Sequence, residues 1–134
     1  MPPAVRIIER VPTVNEYQHL VKAVGWHVKT DALVELALAS VVYANVAEDV
    51  NTKDVIGCVL LLGDHASFYY VKDMMVLPQW QSKRVGTALM EKLNEWVEKN
   101  APEHALVGLY TGENLAPFYR QFGFSPAFGM CRRM

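Results

Sequence analysis

The feature that most constrains the fold is an abrupt change in the period of the apolar residues near Pro78. Residues 68–77 are rich in aromatic and β-branched side chains, which favours a strand, and Pro78 ends it. From Ser82 to Asn100 the apolar side chains recur every three or four residues, which predicts an amphipathic helix. The sequence therefore predicts a strand that leads directly into a helix.

A polar, basic segment joins this strand to this helix, and it reads Gln81-Ser-Lys-Arg84-Val-Gly86. The first turn of a helix has N–H groups without intrahelical partners and a partial positive charge, so an anion is favoured there. Lys83 and Arg84 add two full positive charges at the same place. We expect a phosphate-binding site at the start of this helix.

Composition limits the classes of protein to which the chain can belong. With 134 residues, of which 51% are hydrophobic and 20% charged, we expect one folded domain over residues 1–134. The net charge of −1 gives no overall attraction to nucleic acid, so no nucleic-acid partner is expected. Without a membrane-length apolar run or a signal-peptide pattern, the expectation is a cytoplasmic protein with no membrane partner.

The cysteines and histidines show no spacing typical of metal ligands, and no metal is expected. Cys58 lies in an apolar strand, where we expect a buried thiol.

The remaining periodicity predicts an α/β chain with the order strand, two helices, three strands, helix, strand, helix, strand. Strands are predicted at residues 5–9, 41–47, 55–62, 68–77 and 105–110, the last in the interior of the sheet, with another strand or hairpin in 125–134. The first helix is predicted to begin at a Thr13–Glu16 capping box and to end at Gly25. The second runs from an Asp31 cap to about Ser40 and turns Leu33, Leu36 and Ala37 inward. A short helix at 113–121 is predicted to end at a left-handed Gly123.

Two motifs in this order resemble the GNAT superfamily of acyl-CoA-dependent N-acyltransferases. The cofactor motif of that family is Gln or Arg, two residues, Gly, one residue, then Gly or Ala, after the fourth strand. Here it reads Gln81-x-x-Arg84-x-Gly86, with Arg84 in place of the first glycine. The second motif is Asn114-x-x-x-Phe118-Tyr119-x-x-x-Gly123-Phe124. The resemblance covers nearly the whole chain and implies a single GNAT-like α/β (α+β) domain, with a mixed, mostly antiparallel sheet and a splayed parallel strand pair flanked by helices.

The resemblance implies acetyl-CoA as cosubstrate. Its pantetheine arm would lie between the splayed strands like an added strand, against backbone groups of Met75 and Val76. Its pyrophosphate would lie on the backbone N–H groups of Gln81, Ser82, Lys83, Arg84, Val85, Gly86 and Thr87. Gly86 would let the backbone approach closely.

Two cofactor contacts that the resemblance implies have alternatives. Arg84 is expected to keep helical φ and ψ, and its side chain either contacts a phosphate, which we prefer, or lies in solvent. Asn114 matches a family asparagine that contacts the cofactor, but a plain helix N-cap would look the same in sequence.

The resemblance also implies candidates for the chemistry. Tyr119 matches the tyrosine that protonates the departing thiolate in many family members. A phenol with a pKa of about 10 is protonated at neutral pH, whereas a thiol has a pKa of about 8.5; the alternative is a core tyrosine. Asp73 is an acid in an apolar strand and is a candidate general base if buried, or else a carboxylate on the exposed face. Trp26 either contacts the acceptor or anchors its loop on the core.

The function that the resemblance implies is N-acetylation of a primary amine of a small molecule or peptide. Attack would be direct, through a tetrahedral intermediate stabilised by the backbone N–H near Val76. The alternatives are a non-catalytic acyl-CoA-binding or sensing module on the same fold and a phosphate-binding interaction domain that uses no thioester. The sequence does not identify the acceptor, and a homodimer is an expectation from the family alone.

Overall fold

A computed structural model of the protein describes residues 4–134. In these residues one five-stranded sheet has its strands in chain order. They are β1 (Val5–Ile8), β2 (Tyr43–Asp49), β3 (Val55–Gly63), β4 (Phe68–Val76) and β5 (Leu106–Leu109). The first four strands pair antiparallel, and β4 and β5 pair parallel. This arrangement confirms the predicted α/β class, with a mostly antiparallel sheet and one parallel pair.

Helices flank the sheet. They are α1 (Val14–Ala23), α2 (Asp31–Ala39), α3 (Val85–Asn100) and α4 (Ala116–Arg120), with 3₁₀ turns at Pro78–Trp80 and Glu113–Leu115. The long helix α3 packs across β1 to β4, and its fully buried Leu89, Met90 and Leu93 belong to the main core. The parallel pair needs a crossover connection of this kind, since a tight turn cannot join parallel strands.

Local capping explains where the first two helices begin. The hydroxyl of Thr13 accepts a hydrogen bond from the Glu16 N–H, and the Glu16 carboxylate accepts one from the Thr13 N–H, which confirms the predicted capping box. For α2 the cap is Thr30 and not Asp31, because the extended Thr30 directs its hydroxyl to the N–H of Leu33.

The predicted inward face of α2 is wrong. Val34 and Leu38 are buried, whereas Leu33 is 54% exposed and Leu36 is 69% exposed. Because α2 is apolar on almost every side, its periodicity does not single out one face.

The predictions for β5 and for residues 125–134 are also wrong. Strand β5 was expected in the interior but is an edge strand, and residues 125–134 contain neither the strand nor the hairpin predicted there. Its Leu106 is 69% exposed. A short apolar run is consistent with an interior strand, but periodicity alone does not tell whether a second neighbour exists.

The centre of the sheet is fully buried. Cys58 is fully buried there as predicted, and burial raises the pKa of its thiol. In residues 4–134, no helix combines the length and the apolar character that crossing a membrane requires.

Candidate functional site

A gap opens where β4 and β5 separate. Their paired residues run only from Phe68–Leu106 to Val71–Leu109, whereas β4 continues beside β3 as far as Val76. A cavity of about 350 Å³ lies at this gap. Its lining residues are Trp26, Val71, Asp73, Met74, Leu109, Tyr110, Thr111, Gly112, Leu115 and Tyr119.

A β-bulge places Asp73 in the cavity wall. The register between β3 and β4 shifts between Cys58 and Leu60, and Asp73 has a φ of 53°. A non-glycine residue rarely has this left-handed conformation, although Asp and Asn tolerate it better than most. Bulges of this kind are common beside active sites, where they redirect a side chain.

The Asp73 carboxylate has two donors on one oxygen. The Tyr17 hydroxyl donates to Oδ2 at 2.6 Å, and the Lys72 Nζ lies 3.0 Å from the same oxygen. The side chain of Asp73 is 15% exposed, so it does not lie on an open face of the sheet. Burial, and next the hydrogen bond to Asp73, raise the pKa of Tyr17. The two contacts hold the Oδ2 atom of Asp73 in place in the cavity wall.

Tyr119 reaches the same cavity from α4. It is 9% exposed, and its ring packs against Phe118 at 5.0 Å and Phe124 at 6.2 Å between centroids. Burial raises the pKa of Tyr119 above its usual value of 10.0, so its phenol is protonated at neutral pH. The structure therefore brings both candidate catalytic side chains, Tyr119 and Asp73, to one cavity.

The start of α3 carries backbone donors without partners in the helix. Its first helical hydrogen bond runs from the Ala88 N–H to the Arg84 carbonyl, at 3.1 Å. The N–H groups of Val85, Gly86 and Thr87 therefore have no intrahelical acceptor, and the N-cap residue gives no side-chain hydrogen bond. The side chain of Val85 is buried, so only its backbone is available.

Two left-handed residues precede this helix. Ser82 has a φ of 61°, and Arg84 has a φ of 65° and a ψ of 18°. Turns with such residues gather successive N–H groups into concavities that bind anions. The expectation that Arg84 has helical φ and ψ is wrong, because the residue lies in the loop and not in the helix. Arg84 occupies the position of the motif's first glycine, and the backbone at this position is left-handed, a conformation that glycine adopts without strain.

The basic side chains beside this concavity lie at the surface. Arg84 is exposed and makes no side-chain hydrogen bond within residues 4–134, and Lys83 lies with its Nζ 5.5 Å from the centre of the Trp80 ring. Gln81 folds back, and its Nε2 donates to the Val76 carbonyl at 3.0 Å. The two cations thus lie next to the uncapped N–H groups, and neither forms an ion pair with any of residues 4–134.

Gly86 does not face open space. A Cβ atom there would lie 2.8 Å from the Met74 Cε and 3.5 Å from the Phe118 Cζ. The absence of a side chain at Gly86 therefore lets the side chains of β4 and α4 pack closely on the start of α3. The role that the resemblance implies for Gly86 is a different one, namely close approach of the backbone to the pyrophosphate.

Val76 directs its backbone into the gap. The Leu77 N–H donates to the Ile56 carbonyl, so Leu77 and Ile56 are a hydrogen-bonded pair of the antiparallel ladder. Hydrogen-bonded and non-hydrogen-bonded pairs alternate in such a ladder, so the next pair, Val76 and Gly57, has no hydrogen bonds between its members. The N–H and C=O of Val76 therefore point away from β3. By the same alternation, Met75 points its backbone groups toward β3.

The structure places the remaining two candidates at the cavity and near it. Trp26 follows α1, lines the cavity and is 47% exposed, so it does not anchor its loop inside the core. Asn114 is exposed in a 3₁₀ turn, and the plain N-cap interpretation is wrong, because Leu115 precedes α4 and no side chain caps that helix.

Sequence reasoning missed Tyr17, Lys72 and Met74. Tyr17 lies on the buried face of α1, and its partner Asp73 lies 56 residues away in the chain. Nothing in the local pattern marks that pair. In residues 4–134, no cluster of three or more His, Cys, Asp or Glu side chains could hold a metal ion.

The left-handed Arg84 gives a prediction about stability. An L-residue in this conformation is strained by about 1–2 kcal/mol, whereas glycine is not strained but loses about 0.5–1 kcal/mol more entropy on folding. We expect Arg84→Gly to be more stable than Arg84→Ala by about 0.5–1 kcal/mol in urea unfolding. Both variants remove the same charge, so the difference isolates the backbone. Arg84→Ala as the more stable variant, as inside a helix, would contradict the left-handed geometry.

Comparisons with known proteins agree with this fold. The family model of the acetyltransferase (GNAT) domain matches residues 39–126. A probable acetyltransferase from Staphylococcus aureus superposes with a TM-score of 0.88 at 24% identity, over 97% of this chain and 99% of that one. A GNAT-family acetyltransferase from Streptococcus pneumoniae gives 0.78 at 29% identity, over 97% and 98%. Glucosamine-6-phosphate N-acetyltransferase from Arabidopsis thaliana gives 0.71 at 12% identity, over 96% and 98%.

No curated protein matches the sequence. The family match spans more than half of the chain and includes the gap, the start of α3 and the aromatic motif of α4. On this evidence, the chain belongs to the GNAT family of acetyltransferases.

Proposed function

We propose that the protein is an acetyl-CoA-dependent N-acetyltransferase that acetylates a primary amine of a small molecule. The observation that carries the proposal is the meeting of Asp73, Tyr119 and the gap beside Val76 at one cavity, next to a helix start with uncapped N–H groups. A fold alone does not establish an activity, so the proposal depends on these groups.

The residues at the gap and at the start of α3 fit the cosubstrate. The N–H groups of Val85, Gly86 and Thr87 and the left-handed turn at Ser82 would hold the pyrophosphate. Lys83 and Arg84 would add charge. The unpaired edge of β4 offers backbone groups for an extended arm. When bound, the cosubstrate supplies an activated acetyl thioester.

Three groups of the chain would each take one role in the acetyl transfer. Asp73 is held by Tyr17 and Lys72 and would accept a proton from the amine. The Val76 N–H points into the gap, where a donor stabilises negative charge developing on an acyl oxygen. Tyr119 is protonated at neutral pH and would give its phenolic proton to the leaving sulfur.

Thermal unfolding with added ligand tests the cosubstrate. Acetyl-CoA at about 100 times its dissociation constant should stabilise the protein by roughly 2.7 kcal/mol, which raises Tm by about 5–10 °C for a chain of this size. CoA should give a similar shift, and ATP should give none. Thiol release with a panel of primary amines then tests the transfer.

A charge placed in the turn before α3 gives a matched control. Ser82→Asp puts a carboxylate where the phosphate would lie and should reduce the acetyl-CoA shift sharply. His65→Asp makes a similar exposed change at a residue with a φ of 62°, in the turn at the other end of β4, and should leave the shift intact. Equal shifts in both variants would refute the proposed phosphate site. A shift without thiol release would instead favour a non-catalytic binding module.

A further inference from the structure

We infer that the acceptor is a small primary amine on an uncharged, apolar body, and not a phosphorylated or acidic amine; this inference rests on the proposed function. It begins with the charges in the cavity wall. Asp73 is the one carboxylate among the lining residues, and no Lys, Arg or His lines the cavity. A phosphate or carboxylate on the acceptor would meet no counter-charge there and would face a carboxylate. A buried charge without a partner binds poorly.

Lys72, the cation that neighbours Asp73 in β4, is already engaged. The Lys72 ammonium lies 3.0 Å from the Oδ2 atom of Asp73 and is not among the lining residues. If it moved to an acceptor phosphate, it would leave Asp73 without its charge partner. Lys72 is therefore poorly suited to select an anionic acceptor.

The second oxygen of Asp73 is available. Tyr17 and Lys72 both contact Oδ2, while Oδ1 accepts no hydrogen bond from residues 4–134. The two donors, one from α1 and one from the neighbouring position in β4, hold Oδ2 in place and leave Oδ1 unoccupied. Because Asp73 lines the cavity, its free oxygen is a suitable acceptor for one ammonium or amine N–H.

The rest of the wall fits an apolar body. Four aliphatic side chains line the cavity: Val71, Met74, Leu109 and Leu115. Trp26 adds an indole that is 47% exposed, although a tryptophan usually buries most of its surface. An apolar group stacked on Trp26 would cover that surface while the amine reaches Asp73.

The size of the cavity limits the body. Its volume of about 350 Å³ is at the lower end of ligand pockets, and part of that space must receive the acetyl group and the end of the cosubstrate's arm. A body of about one ring fits, so 2-phenylethylamine is the probe. A long polyamine would need further carboxylates, and Asp73 is the only one among the lining residues.

Calorimetry on the protein–CoA complex tests the inference without turnover. We expect 2-phenylethylamine to bind, and glucosamine 6-phosphate and 3-phenylpropionate to bind at least about 100-fold more weakly. Trp26→Ala should weaken the binding of 2-phenylethylamine about tenfold, with little effect on ethylamine. Phe128→Ala, which removes a 91% exposed aromatic ring away from the cavity lining, should change neither.

Thiol release separates failure of the inference from failure of the function. Acetylation of glucosamine 6-phosphate as efficient as that of 2-phenylethylamine would overturn the inference and leave the proposed function standing. CoA binding without thiol release for any amine would overturn the function. In that case the calorimetric ranking still decides the inference, and equal binding of the three probes would refute it.

Discussion

Tyr119→Phe is expected to lower kcat by roughly 100- to 10,000-fold, the usual contribution of a general acid. The change removes one oxygen from a ring that Phe118 and Phe124 hold in place, so the aromatic packing remains. Because the phenol is proposed to act on the leaving group, the binding of acetyl-CoA should be almost unchanged. The loss should therefore appear in kcat and kcat/KM alike.

The pH dependence gives an independent check on Tyr119. Burial raises its pKa above 10.0, so the protonated acid persists through the neutral range and is lost only in more alkaline solution. In the parent protein, kcat should fall on that alkaline side, and in Tyr119→Phe this fall should disappear. Tyr69→Phe is the matched control, since Tyr69 is a buried tyrosine of β4 outside the cavity lining. Unchanged turnover in Tyr119→Phe would remove the residue from the mechanism.

Leu93→Ala is expected to cost about 2–5 kcal/mol of unfolding free energy, the range found when a buried leucine is truncated in a core. Leu93 is fully buried in α3, the helix that packs across four strands. A loss of this size would lower Tm by roughly 10 °C or more. Urea unfolding followed by circular dichroism measures it.

The control for Leu93 is the same substitution at an exposed leucine. Leu36 is also helical but is 69% exposed, so Leu36→Ala should change stability by no more than about 0.5 kcal/mol. A similar loss at both positions would mean that the burial assigned to α3 or to the outer face of α2 is wrong.

Features that depend on a few consecutive residues could be predicted from the sequence. The Thr13–Glu16 capping box, the left-handed Gly123 and the apolar face of α3 are of this kind, because the interacting groups lie within one or two turns of each other. The two motifs that carry the family resemblance are also short. The class of the fold, and with it the position of the gap, could therefore be predicted correctly.

Features that depend on contacts between distant parts of the chain could not be predicted from the sequence. The bulge that turns Asp73 into the cavity depends on the register with β3, and its partner Tyr17 comes from α1. The conformation of Arg84 follows from the loop between β4 and α3, and not from the preference of arginine. The edge position of β5 depends on whether the tail pairs with it, and nothing in its four residues indicates this.

The short parallel pairing of β4 with β5 also has a consequence for how the molecule assembles. Strands β2 to β4 are joined by short turns and can pair early in folding. Strand β5 can pair with β4 only after α3 has formed the crossover between them, and closing that longer loop costs more entropy. The strand is secured on one side only, so it should also be among the first to open in native-state fluctuations. A molecule that bridged the two strands would replace missing sheet hydrogen bonds. Ligand binding and the last stage of folding would then be the same event, and the protein would become fully rigid only in the ligand-bound state.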